Sequence, residues 1–155
     1  MILNKKISVV IPVYNVGETI INLLNKIPDY VDKIYLIDDC CPLGTGEIAK
    51  KSSLSSTKLT IIFNKNNLGV GGAVKVGYEK CLMDKSDIVV KIDGDNQMDP
   101  AQIDKLVEPI LSMNTDYCKG NRFLKMLEIE NYPTIRFYGN IFLSFMSKLS
   151  SGYWD

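Results

Sequence analysis

The chain has 155 residues, 46% of them hydrophobic, and its 18 basic and 18 acidic side chains give a formal net charge of zero. Nucleic-acid-binding domains normally carry a basic excess, so no nucleic-acid partner is expected. The sequence contains no histidine, which excludes hydrolases with a histidine base and HExxH metalloproteases and leaves carboxylates, amides, cationic side chains or a bound metal for any chemistry.

Short apolar runs alternate with helical patterns along most of the chain. Each strand candidate is a continuous apolar run, which is typical of a strand buried on both faces, and the helix candidates carry apolar residues at helical spacing. In chain order the patterns predict strand 7–13, a helix from Thr19, strand 33–38, helix 47–52, strand 58–63, helix 73–83, strand 87–93 and helix 100–112. This alternation predicts an α/β fold with a mainly parallel central sheet flanked by helices.

The pattern weakens after Tyr117. A turn is predicted at 119–123, a helix from Pro133, and a loop at 150–155. We interpret the chain as a single domain, residues 1–155, that is truncated at its C-terminal end because it stops inside the last loop.

Cysteine usage and hydropathy indicate the compartment. The four cysteines lack CxxC spacing, so we expect reduced thiols in a cytoplasmic protein. The N-terminus lacks a signal-peptide pattern, and no run of about 18 apolar residues is present. Any membrane association would therefore use a missing C-terminal segment and place the full-length protein at the inner face of the membrane.

Polar residues follow the predicted strands, at the edge where parallel sheets bind ligands. Asp93 and Asp95, separated by Gly94, come after the fourth strand. Two such carboxylates can hold Mg²⁺ or Mn²⁺, which favour oxygen ligands and share their coordination with substrate phosphates. The alternative is a pair that only ends a strand and caps the next helix. The position after an apolar strand favours a metal site.

Three further features have both a functional and an ordinary explanation. Asp38 and Asp39 follow the second strand and suit a base or ribose, or are solvated loop acids. The glycines of 66–75 suit a diphosphate with Lys75 as counter-charge, or simply start a helix. The two arginines, Arg122 and Arg136, suit bidentate phosphate binding or surface ion pairs.

Taken in order, five segments resemble family 2 glycosyltransferases: 9–15, 37–39, 67–73, 92–97 and 120–122. The resemblance is strongest to the branch of dolichyl-phosphate mannose and polyprenyl-phosphate glucose synthases. It implies the GT-A fold, a Rossmann-like nucleotide-binding sandwich. It also implies inverting transfer of a sugar from a UDP-sugar or GDP-mannose to a polyprenyl-phosphate or glycan acceptor, with Mn²⁺ or Mg²⁺ as cofactor, in the synthesis of cell-surface polysaccharide or glycolipid.

The resemblance also assigns roles to residues. Asp95 would be the principal metal ligand with help from Gln97, and Asp93 would lie close to the sugar, ribose or metal. Arg122 and Arg136 would hold the acceptor phosphate, and these two with Asp93 and Asp95 form the predicted catalytic set. The residues predicted to bind the nucleotide-sugar are Pro12, Tyr14 (stacked on the base), Asn15, Asp38, Asp39, Asn67, Gly69, Lys75, Asp93 and Gly94.

Rival functions fit less well. A phosphatase with an aspartate nucleophile needs threonine or valine where Gln97 stands, and an EF-hand loop needs glycine and glutamate where Met98 and Asp104 stand. A nucleotidyltransferase of similar fold usually has a glycine-rich basic loop after the first strand, where this chain has 14–17. A truncated domain that binds nucleotide-sugar without turnover remains the non-enzyme alternative.

Overall fold

The computed structural model describes residues 5–52, 57–112, 114–120 and 134–152. Within these residues the strands are β1 (Ile7–Val13), β2 (Lys33–Asp38), β3 (Leu59–Phe63) and β4 (Ile88–Lys91). The helices are α1 (Thr19–Asn25), α2 (Thr45–Ala49), α3 (Gly69–Met83), α4 (Ile103–Leu111) and α5 (Thr134–Ser151), with a 3₁₀ turn at Pro100–Gln102.

The described strands form one parallel sheet in the order β3-β2-β1-β4. Val13 pairs with Asp38 and Asp38 with Phe63, so three strands end at the same level. Val10 pairs with Lys91, which places the residues just after β4 beside the end of β1. The strand order reverses between β1 and β4, and such a switch point opens a crevice at the carboxyl ends of the strands.

Alternate residues of β1 enter two separate cores, as the period of two along a strand requires. Val9 and Ile11 pack into the larger core, to which α1 and α4 contribute Leu23 and Val107. Val10 packs into a smaller core on the other side of the sheet, together with Tyr35, Ile37 and residues of α3. The sheet is therefore covered by helices on both faces, and the predicted fold class is confirmed.

Some predicted boundaries were wrong. The predicted helix 73–83 is longer, because α3 begins at Gly69 and includes glycines that the prediction placed before it. Packing of α3 on the sheet outweighs the low helix propensity of glycine. The fourth strand ends at Lys91 rather than at residue 93. The predicted helix 100–112 begins as a 3₁₀ turn, where Asp99 accepts a hydrogen bond from the backbone N–H of Ala101 at 3.1 Å.

The chain divides into two compact units, Met1–Cys118 and Lys119–Asp155. The second unit contains α5, which includes residues 150 and 151 and so corrects the prediction of a loop there. Residues 121–133 and 153–155 lie outside the described residues, so most of the predicted turn 119–123 and the start of the predicted helix at Pro133 have no structural description. The single domain 1–155 stays a prediction.

None of the helices in the described part of the chain combines the length and the hydropathy needed to cross a bilayer.

Candidate functional site

A cavity of about 350 Å³ opens at the carboxyl ends of β1, β2 and β4, beside the start of α3. Eight of the predicted site residues line it: Pro12, Tyr14, Asp39, Asn67, Gly69, Asp93, Gly94 and Asp95. Four others, Asn15, Asp38, Lys75 and Gln97, are not among its lining residues. Apolar side chains that the sequence did not single out complete the wall: Val13, Val16, Val70 and Ala73.

Gly94 allows the segment after β4 to pass close against the end of β1. A Cβ atom at this position would lie 2.7 Å from Val13 Cγ1 and 3.2 Å from the carbonyl oxygen of Pro12. Only glycine fits such an approach without displacing its neighbours. Gly94 therefore sets the position of Asp93 and Asp95 at the cavity.

The two carboxylates beside Gly94 have different partners. The ammonium group of Lys91 donates a hydrogen bond to Asp93, so that carboxylate is ion-paired. Asp95 is exposed and accepts a hydrogen bond from the backbone N–H of Gln97 at 3.1 Å. Asn96, which lies between Asp95 and Gln97, has a left-handed backbone (φ 59°), and its buried Oδ1 has no partner among the described residues. Asp95 is the less compensated of the two acids.

The acids after β2 are buried, with 3% and 2% of Asp38 and Asp39 exposed. Asp38 accepts hydrogen bonds from the backbone N–H groups of Cys41 and Gly46, both at 2.7 Å. These bonds fix the loop that leads to α2. The predicted contact of Asp38 with the nucleotide has no support from this geometry, because both of its oxygens serve that loop.

Asp39, by contrast, faces the cavity. It accepts hydrogen bonds from the side-chain amide of Asn64 at 2.7 Å and from the backbone N–H of Leu68 at 3.0 Å. A carboxylate offers about four lone-pair sites, so it retains acceptor capacity toward a ligand. Asp39 thus ties the end of β2 to the start of α3 and contributes negative charge to the cavity.

The loop after β1 presents Tyr14, whose side chain is 52% exposed, at the cavity wall. The next residue, Asn15, has a left-handed backbone, and its N–H donates to the Cys41 sulfur at 3.1 Å. Burial opposes ionisation of the Cys41 thiol, but hydrogen bonds from Thr45 and from the backbone N–H groups of Asn15 and Leu43 outweigh it and lower the pKa of Cys41. This cysteine holds the loop that carries Tyr14.

The start of α3 closes the cavity with Gly69 and Val70. The side chain of Asn67 accepts a hydrogen bond from the N–H of Gly69 at 2.8 Å. The N–H groups of the first helical turn have no carbonyl partner within the helix, so they suit an anionic ligand. Lys75 lies further along the helix, 78% exposed and 3.9 Å from Glu79, and does not line the cavity.

The predicted acceptor residues cannot be placed at the cavity. Arg122 lies outside the described residues, and Arg136 lies on α5 without a described side chain. Their roles stay predictions.

The donor atoms at the cavity fit a hard divalent cation only in part. Carboxylate oxygens are suitable ligands, and Asp93 and Asp95 both reach the cavity. No group of three or more acidic, cysteine or histidine residues in the described part of the chain is arranged to enclose a metal. A cation held here would therefore need oxygens from a bound ligand, as Mg²⁺ does when it binds substrate phosphates.

The parallel sheet and the acidic crevice at its switch point define an α/β domain of the GT-A type. The family model described as "Glycosyl transferase family 2" matches residues 8–153, and the chain belongs to that family.

Relatives and solved structures agree with this assignment. The chain is 31% identical to a UDP-N-acetylglucosamine–dolichyl-phosphate N-acetylglucosaminyltransferase of Methanococcus voltae, over 97% of this chain and 65% of that protein. It is 32% identical to a dolichol-phosphate mannosyltransferase of Pyrococcus furiosus, over 84% and 37%. The fold matches glucosyl-3-phosphoglycerate synthase from Mycobacterium tuberculosis in complex with Mn²⁺, UDP and glucosyl-3-phosphoglycerate (TM-score 0.56, 26% identity, 70% of this chain and 40% of that one). The chain spans less than two thirds of the length of these proteins. The predicted family and branch are confirmed.

Proposed function

We propose that this chain is the nucleotide-sugar-binding catalytic domain of an inverting, metal-dependent hexosyltransferase. The donor would be a UDP-sugar or GDP-mannose, and the acceptor a polyprenyl phosphate or a glycan. The observation that carries the proposal is the convergence of Tyr14, Asp39, Asp93 and Asp95 on one cavity at the switch point of the sheet. The names of the two relatives support a phosphorylated polyprenyl acceptor, and the Mn²⁺ and UDP complex of the structural neighbour supports the donor and the cation.

The nucleoside would bind between the loop after β1 and the end of β2. The exposed ring of Tyr14 offers a flat apolar surface on which a base can stack. Asp39 is held rigidly by Asn64 and Leu68 and can accept hydrogen bonds from the N–H groups of a base. Val16 and Val70 supply the apolar remainder of the wall.

The diphosphate would lie between Asp95 and the first turn of α3. A divalent cation, when bound, would neutralise the leaving nucleoside diphosphate. Asp95 is the residue that would hold it, since its carboxylate is exposed and has no ion pair among those described. Backbone N–H groups of the first turn of α3 beyond Gly69, whose own N–H donates to Asn67, would stabilise the phosphate oxygens.

In the reaction, an acceptor oxygen attacks the anomeric carbon from the side opposite the diphosphate. The bond from that carbon to the β-phosphate oxygen breaks, its electron pair leaves with the nucleoside diphosphate, and the configuration inverts. A phosphate acceptor is already an anion, so it needs no general base, whereas a hydroxyl acceptor would need a carboxylate in this histidine-free chain. Arg122 and Arg136 would hold the acceptor phosphate.

The second candidate is a domain that binds nucleotide-sugar without turnover. For the whole protein we propose a cytoplasmic location at the inner face of the membrane, with membrane association through a segment outside this chain.

The test is sugar transfer from UDP-N-acetylglucosamine, UDP-glucose and GDP-mannose to a polyprenyl phosphate in detergent, with Mn²⁺. We expect a lipid-linked sugar of inverted anomeric configuration by NMR with one of these donors, and none with Asp95→Ala. Donor binding without product would favour the second candidate. Absence of both binding and product would contradict the proposal.

A further inference from the structure

We propose that Lys91 is a positioning residue that makes uptake of the divalent cation depend on the nucleotide. This inference rests on the proposed function, because it concerns the same cavity and the same cation. It adds a residue to which neither the sequence motif nor the family resemblance assigns a role.

Lys91 is the last residue of β4, and Asp93 follows two residues later. Their charged groups form an ion pair. The side chains are 30% and 34% exposed, so the pair is only partly open to water. Asp93 lines the cavity, whereas Lys91 is not among its lining residues.

This placement distinguishes the pair from the surface ion pairs of the protein. Lys50–Glu47 and Lys75–Glu79 join neighbouring turns of a helix, and their carboxylates do not line the cavity. Lys91 instead offsets the negative charge of Asp93, a carboxylate that a cation in the cavity would meet. The described cavity wall carries three acids, Asp39, Asp93 and Asp95, and one of them is neutralised in this way.

Two consequences follow from the charge. A free cation meets a weaker negative field than two unpaired carboxylates would give, and it competes with Lys91 for Asp93. A nucleoside diphosphate, which is itself an anion, is repelled less because one acid is paired. The cation then binds well only together with the diphosphate, whose oxygens complete its coordination.

The experiment measures Mn²⁺ binding by electron paramagnetic resonance, with and without UDP (replaced by GDP if GDP is the nucleotide that the wild type binds), and requires no turnover. We expect Lys91→Met to bind Mn²⁺ alone about fivefold more tightly, since removal of one charge a few ångströms away changes the binding energy by roughly one ion pair in water. UDP should then increase Mn²⁺ affinity less than it does in the wild type. Lys91→Arg should restore the wild-type values, and Lys91→Gln makes the same charge change if Lys91→Met fails to fold.

The matched control is Lys5→Met. Lys5 pairs with Asp87 at 3.4 Å, near the amino ends of the strands and away from the cavity. Lys5→Met should leave the Mn²⁺ affinity unchanged, both without and with the nucleotide. Unchanged or weaker Mn²⁺ binding in Lys91→Met, or an equal gain in Lys5→Met, would overturn the role of Lys91. If neither UDP nor GDP raised Mn²⁺ affinity in the wild type, the proposed function itself would fail.

Discussion

The sheet has two acidic pairs at strand ends, and the protein uses them differently. At the end of β2, Asp38 and Asp39 are buried; protein donors occupy both oxygens of Asp38, whereas Asp39 accepts protein hydrogen bonds and also faces the cavity. After β4, Asp93 and Asp95 are partly or fully open, with one lysine and one backbone N–H as their partners. A buried, satisfied carboxylate fixes loops, whereas an open, less satisfied carboxylate is available to a ligand. Asp38 should therefore govern stability and the second pair binding, and Asp39, which also lines the cavity, should contribute to both.

The largest effect on stability is expected for Asp38→Ala. This change leaves the part-buried N–H of Cys41 and the buried N–H of Gly46 without their acceptor, and each unsatisfied buried group costs about 1–3 kcal/mol. We predict a loss of about 3 kcal/mol in the free energy of unfolding, measured by urea denaturation. The matched change Asp95→Ala should stay within about 0.5 kcal/mol of the wild type. Equal losses in the two variants would contradict the distinction between the pairs.

A smaller loss of stability is expected for Gly94→Ala, which tests how closely the segment with Asp93 and Asp95 is held against β1. The added methyl group would meet Val13 Cγ1 at 2.7 Å, and such overpacking costs about 1–3 kcal/mol. We predict a lower melting temperature together with weaker Mn²⁺ binding in the presence of UDP.

Gly71→Ala provides the control for that substitution. Gly71 lies in α3 with open space around its Cα, so the same methyl group should stabilise the protein by up to about 1 kcal/mol through helix propensity. A melting temperature of Gly94→Ala at or above that of the wild type would show that the segment after β4 is not pressed against β1.

The smallest effect is expected for Asp84, an acid near the opposite, amino ends of the strands. Hydrogen bonding from the Tyr35 hydroxyl, aided by Lys80 and Lys6, lowers the pKa of Asp84. Since the folded pKa lies below the unfolded one, Asp84 stabilises the fold above its unfolded pKa, and this contribution is lost as the pH falls through the folded pKa. We predict that Asp84→Asn lowers stability at neutral pH and weakens its decline on acidification, as measured by urea denaturation from pH 7 to pH 3. A pH profile identical to that of the wild type would contradict this.

The strands and the parallel sheet could be predicted because apolar β-branched runs alternate with helical patterns, and local composition alone determines that signal. The start of α3 could not, because packing against the sheet decides whether the glycines after Gly69 are helical. The sequence also could not predict that Asp38 and Asp39 have different hydrogen-bond partners. Successive residues point to opposite sides of a strand, and the donors that meet each side, Gly46 and Leu68, come from separate segments.

Within the site, the acidic pair and Tyr14 were predicted to lie together, and they line one cavity. Lys91 was overlooked, although its spacing of two from Asp93 in an otherwise apolar run was a signal that could have been followed. The contact between Cys41 and the N–H of Asn15 had no such signal, since it joins two loops 26 residues apart.

Asp93 and Asp95 are proposed to bind a cation together with a nucleoside diphosphate. Calorimetric titration of UDP and GDP, with and without Mn²⁺, tests it on the wild type, on Asp95→Ala and on the control Asp104→Ala, an exposed acid that does not line the cavity. We expect Mn²⁺ to strengthen binding of one of the two nucleotides in the wild type and in Asp104→Ala, and we expect this gain to disappear in Asp95→Ala. Binding that is unaffected by Mn²⁺, or a Mn²⁺ effect that persists in Asp95→Ala, would contradict it.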